Sequence, residues 1–261
     1  MTFTESLTIA PHVTGYPGVA FGGYVAGLLA ARSDAAEVRV DFRAAVPVGT
    51  GLLVAGGASE GTGAQPPVDG AVVIRDAAGT DLAVATPAPL TLDAPEPPTW
   101  AQAEKGAAAQ VRSLRRNPPP VMDCYGCGPD VSPGQGLKLL PGRVEDRPDL
   151  LAGAWIPEKE LAGPDGVLPP EIVWAALDCP GGWTAIRLGR MPLGGVTARL
   201  TGTQLAPVRA GEPHISYAWM LGAEGRKTTV GVAVATAEGE LCALAEALWI
   251  TPRGVERRVG E

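Results

Sequence analysis

"AVVIRDAAGTDLAVAT" (residues 71–86) is two apolar runs around a turn at Gly79, the pattern of a β-hairpin. The same pattern returns as "GVAVATAEGELCALAE" (231–246), with its turn glycine at Gly239, 160 positions further on. A second pair precedes these. "VRVDFRAAVPVGTG" (38–51) and "ARLTGTQLAPVRAGE" (198–212) are strand-like and reach Pro47 and Pro207, again 160 apart. Two landmarks at one offset mark an internal duplication.

Working outward, "FGGYVAGLLAAR" (21–32) and "PPEIVWAALDCP" (169–180) stand ahead of the two strand sets. Both are apolar on most faces, as a buried helix requires. Their starts are 148 apart, and the remaining 12 residues of the offset fall between helix and strand, around "RLGRMPLGG" (187–195). The stretch 93–120 is proline-rich at both ends and alanine-rich in the middle, which predicts a linker with a helix inside it. The expected organisation is therefore a first unit over 1–92, the linker over 93–120 and a second unit over 121–261. Each unit is α+β, a buried helix with an antiparallel sheet around it.

Composition narrows the functions. The 261 residues are 46% hydrophobic, enough for two cores, with 35 glycines and 26 prolines that favour many turns. A net charge of −7 argues against a nucleic-acid partner, which would want a basic face. The most apolar stretch, 19–31, is too short to cross a bilayer, so no membrane partner is expected. "MTFTESLTIA" lacks the basic start of a secretory signal, and with four cysteines the expected setting is the reducing cytoplasm. Cys124 and Cys127 form a C-x-x-C, but zinc would need further ligands, and Cys179 and Cys242 lie in other elements. No metal site is expected, and the pair reads as a packed turn. Arg112, Arg115 and Arg116 in the linker read as solvated charges rather than phosphate ligands.

A helix wrapped by an antiparallel sheet and duplicated in one chain resembles the double hotdog fold of acyl-CoA thioesterases. "VAFGGYVAGLLAA" is similar to the helix start of the thioesterase II type. "CYGCGPDVSPGQGL" (124–137) followed by "EIVWAALD" (171–178) is similar to the phenylacetate type. In that family the helix opens with His-Gly-Gly and carries a catalytic acid nine positions after the histidine. In the second half, Asp178 falls nine positions after Pro169. In the first half, Phe21-Gly22-Gly23 keeps the glycines, loses the histidine and places Ala30 where the acid belongs.

The resemblance implies an acyl-CoA or acyl-carrier-protein thioester as substrate, with coenzyme A present only as part of it and no separate cofactor. Gly22 and Gly23 would polarise the carbonyl from a helix N-terminus, and Asp178 would activate water. The complementary site would pair Pro170 with Ala30 and be dead, because proline has no N–H and alanine is no base. Thr197 is the implied hydroxyl partner, with Thr201 and Thr203 alternating on the same face of its strand. The family's last-strand glutamine is replaced near Ala245, and Gln204 is the stand-in. Phe21, Tyr24, Leu28, Glu171, Trp174 and Trp183 would line the substrate, its acyl chain lying between the two helices. The alternative is a hotdog protein that binds a thioester or serves assembly without hydrolysis. Open sheet edges imply a homodimer of double hotdogs.

Overall fold

The computed structural model describes residues 3–56, 69–119 and 121–255. The first half runs β1 (Phe3–Thr8), β2 (Thr14–Tyr16), β3 (Val19–Ala20), α1 (Gly22–Ala30), β4 (Glu37–Phe42), β5 (Gly51–Gly56), β6 (Val72–Arg75) and β7 (Asp81–Pro87). After α2 (Trp100–Arg116) the second half runs β8 (Gly142–Val144), β9 (Arg147–Trp155), α3 (Pro170–Ala175), α4 (Cys179–Arg187), β10 (Val196–Gln204), β11 (His214–Glu224), β12 (Lys227–Thr236) and β13 (Leu241–Ile250). The hairpin expected over 71–86 is β6–β7, and its repeat is β12–β13.

One antiparallel sheet joins the halves in the order β1-β5-β6-β7-β4-β10-β13-β12-β11-β9-β8. Each strand left of the β4–β10 seam has its counterpart to the right, with β8 added at the far edge. Along the seam Arg39 pairs with Thr201, 162 positions apart, at the centre of a local two-fold. The same hydrogen bond recurs in both halves: Ala20 N–H to the Val46 carbonyl at 2.8 Å, and Leu168 N–H to the Val208 carbonyl at 2.9 Å. The bridge Val19–Pro47 is accordingly repeated as Val167–Arg209. The counterpart of Pro47 is thus Arg209, and the proline landmark at 160 is two residues off. The hairpins keep 160, since the Leu82 and Cys242 carbonyls accept the Arg43 and Leu205 amides respectively.

The central helices meet without side chains between them. A Cβ built on Gly27 would lie 2.4 Å from Glu171 Cα, and one on Gly23 would lie 2.7 Å from the Trp174 carbonyl and 2.8 Å from Ala175 Cα. Helices α1 and α3 therefore cross antiparallel at backbone contact, centred on Val25 and Val173, both fully buried. This corrects the expectation of an acyl chain between them: no space is left there.

The second helix also departs from a single run over 169–180. The Asp178 amide bonds back to Ala175 O at 3.3 Å, a tightened turn, and Pro180 has no N–H to continue the ladder. Past the acid the chain restarts as helix α4, with Cys179 and Pro180 as its first two residues. That helix, nine residues long, takes up most of the extra residues of the second half that were expected around 187–195. The linker helix is likewise no free spacer. Its Thr99–Gln102 capping box starts it, and Ala103, Gly106, Gln110 and Leu114 are buried. Gly106 sits against the backbone of Gly142 and Ala152.

Candidate functional site

Asp178 lies in the break between α3 and α4, 2% exposed. Its Oδ2 accepts the Gly23 N–H of α1 at 2.7 Å, and its Oδ1 accepts the Thr197 hydroxyl of β10 at 2.6 Å. One group comes from the first half and two from the second. Phe21, the residue before α1, offers no side-chain cap, so the carboxylate takes that place on an orphan amide at the positive helix end. Burial pushes the Asp178 carboxyl up to about 6, against the hydroxyl and amide that hold it down.

Gly22 stands beside this group. A Cβ built on it would lie 3.1 Å from Asp178 Oδ2 and 3.5 Å from Thr197 Oγ1, so a side chain there would cover the carboxylate. The Tyr16 hydroxyl, on the β2–β3 hairpin of the first half, donates to the Gly195 carbonyl at 2.8 Å and ties the two halves together near the acid. Nothing in the sequence marked Tyr16, because its partner is a backbone carbonyl.

Thr201 and Thr203 do not join Thr197. The β10–β13 register shifts between Thr197 and Arg199. Past that bulge, Leu200 and Gly202 face the helices, a Cβ on Gly202 reaching the Trp174 ring at 3.3 Å. Thr201 and Thr203 therefore face the other side of the sheet. A one-residue bulge reverses the side-chain phase, and no residue type announced it.

The lining residues divide. The Phe21 and Tyr24 rings both meet Tyr125, at centroid distances of 5.9 and 5.8 Å. Leu28 and Trp174 are in the main core, and Glu171 lies half-buried against Gly27. Trp183 belongs elsewhere: it sits on α4 with Leu114, Leu140 and Leu151, under the Arg187 guanidinium. Ala245 faces the core opposite Gly202. Gln204 lies on β10 with its amide on the Ala206 carbonyl. It lines a cavity of about 130 Å³ together with Ala30, Ala31, Ala35, Pro170 and Trp174.

That cavity is the two-fold mate of the Asp178 cluster. At the helix offset of 148, Ala30 answers to Asp178 and Pro170 to Gly22. At the strand offset of 162, Ala35 answers to Thr197. The acid and the hydroxyl of one site are thus alanines in the other and the Gly22 amide is lost to Pro170, while Gly23, whose amide bonds Asp178, answers to Glu171. A larger cavity of about 530 Å³ lies apart from both, with Arg143, Arg187, Arg190 and Trp219 in its wall.

The cysteines are rearranged relative to the sequence spacing. Cys179, the first residue of α4, joins the C-x-x-C, and the sulfurs of Cys124, Cys127 and Cys179 all lie within 4.8 Å of one another.

No protein-family model matches the chain, and neither does any curated protein. Solved structures do. A candidate thioesterase from Novosphingobium aromaticivorans superposes with a TM-score of 0.62 at 14% identity, covering 95% of each chain. A tesB protein from Mycobacterium avium gives 0.60 at 12% identity over 96% of this chain and 93% of its own. An acyl-CoA thioesterase II from Mycobacterium marinum gives 0.57 at 13% identity, covering 99% and 94%. The chain has the double-hotdog fold of these proteins. Among the described residues no helix is long and apolar enough to cross a membrane.

Proposed function

We propose that the protein hydrolyses an acyl-CoA or acyl-carrier-protein thioester at one site divided between its halves. The observation that carries this reading is the Gly23–Asp178–Thr197 cluster at the start of α1. An ionised carboxylate has about four acceptor positions, and two are in use, which leaves acceptor capacity for the water that this mechanism requires. In this mechanism the water gives its proton to Asp178 as its oxygen attacks the thioester carbon. The carbonyl oxygen gains negative charge opposite the Gly22 N–H, the first amide of α1. Collapse expels the thiolate, which recovers the proton from Asp178. The hydroxyl of Thr197 and the amide of Gly23 fix which carboxylate face meets the water.

One observation favours the second reading, thioester binding without hydrolysis. The Gly23 amide is already committed to Asp178, so the oxyanion has one helix-start donor fewer than the resemblance implies. A thiol-release assay over short, long and aromatic acyl-CoAs separates the two. Enzyme-dependent thiol release supports hydrolysis. Saturable binding of the same acyl-CoAs by calorimetry, with no release, supports the second reading.

A further inference from the structure

The three-thiol cluster is not used by the proposed hydrolysis, and its surroundings are those of a built site. Cys124 Sγ lies 3.6 Å from Cys179 Sγ. Tetrahedral zinc with bonds of about 2.3 Å separates its sulfur ligands by about 3.8 Å, whereas a disulfide requires about 2.05 Å. The C-x-x-C segment is a tight turn closed by the Gly128 N–H on the Cys124 carbonyl at 2.7 Å. The Cys124 sulfur has the Cys127 and Cys179 thiols as neighbours, and the Cys127 and Gly126 backbone amides lie against it.

Both glycines of "CYGCG" are required by this turn. A Cβ on Gly126 would lie 2.5 Å from the Phe21 ring and 2.8 Å from Cys179 Sγ, and one on Gly128 would lie 2.7 Å from two carbonyl oxygens. The turn is also pinned from outside, with the Tyr125 amide on the Thr14 carbonyl and the Leu139 amide on the Gly126 carbonyl. Simple packing of small apolar thiols needs none of these donors.

We propose that Cys124, Cys127 and Cys179 bind one zinc ion. Three thiolates from two distant segments supply three corners of a tetrahedron, and water or an added thiol takes the fourth. Cys127 is only partly buried and gives the ion its route in. The bound ion ties the 124–128 turn to the first residue of α4, next to Asp178 in the chain. It thereby fixes the helix break from which the carboxylate projects. The proposal stands independently of hydrolysis.

The experiment is metal analysis of the full-length protein purified without chelator, after dialysis against zinc. About one zinc per chain is expected, falling to background in Cys127→Ser and in Cys124→Ser, while Cys242→Ser keeps its full complement. Cobalt exchanged for zinc is expected to give a thiolate-to-cobalt charge-transfer band on the wild type, which removes any dependence on variants that fail to fold. No zinc and no such band on folded wild-type protein would overturn the proposal. So would a Cys124–Cys179 disulfide in freshly purified protein, or equal zinc content in wild type and Cys127→Ser.

Discussion

The two ends of the α1–α3 crossing share one backbone frame and carry opposite chemistry. At one end Asp178, Thr197 and the amide of Gly23 form a hydrogen-bonded cluster with Gly22 beside it. At the other, Ala30, Ala35 and Pro170 line a small cavity. The difference separates what the fold needs from what a reaction would need. The crossing itself is kept at both ends, through Gly23 against Ala175 and Gly27 against Glu171. The polar groups are kept at one end only, although the duplication offered two places for them.

The widest effect is expected where the ends are alike. Gly27→Ala and Gly23→Ala each gain about 1 kcal/mol of helix propensity. Each also drives a Cβ into fixed backbone, and overpacking dominates at about 2–3 kcal/mol net loss. Thermal unfolding of both variants should show similarly lowered midpoints. A Gly27→Ala variant as stable as wild type would break the symmetry of the crossing.

The next effect lies where the ends differ. Thr197→Val removes a hydrogen bond to a buried carboxylate, worth about 1.5–3 kcal/mol, so kcat/KM for thioester hydrolysis should fall about tenfold or more. Thr201→Val, across the sheet, should change it less than about twofold, because the hydroxyl makes no contact with the site. Equal losses would place the bulge wrongly. Ala30→Asp sharpens the contrast further. An acid alone should not revive the second site, since Pro170 removes the amide that answers to Gly22 and Ala35 supplies no hydroxyl, and activity per chain should stay within about twofold of wild type.

The smallest effect is at the seam. Asp41 on β4 accepts from Arg199 on β10 at 2.8 Å and from Arg39 at 2.7 Å. Burial would raise its carboxyl, but the two guanidinium groups outweigh that and hold it below the usual carboxylate range. A depressed folded value gives stability that is present above the unfolded pKa, about 3.9, and lost as pH falls through the folded one. The pair is a third exposed, so Asp41→Asn should cost less than about 1 kcal/mol at neutral pH. The difference in midpoint from wild type should vanish toward pH 2–3.

Much of this was legible in the chain before its structure. Hairpins with turn glycines at 79 and 239 are local signals, and local signals reveal a duplication. Asp178 was singled out by the resemblance, which puts an acid nine positions after the helix start, and the structure places its carboxylate on the Gly23 amide and the Thr197 hydroxyl. What stayed hidden depends on three-dimensional accommodation. The bulge before Arg199 turns Thr201 and Thr203 away, the helix restarts as α4 after Asp178, and α2 packs on the second half. Cys179 reaches the C-x-x-C only because that restart places it there, so spacing along the chain could not count it as a third thiol.

The central claim is that one acid serves the whole molecule. Its most direct test is thiol release by Asp178→Asn over the panel of acyl-CoAs that the wild type cleaves, with circular dichroism and thermal unfolding showing that the variant is folded. Loss of at least about 100-fold in kcat on every substrate is the expected result, the usual contribution of a positioned general base. Unchanged hydrolysis by a folded Asp178→Asn protein would contradict it.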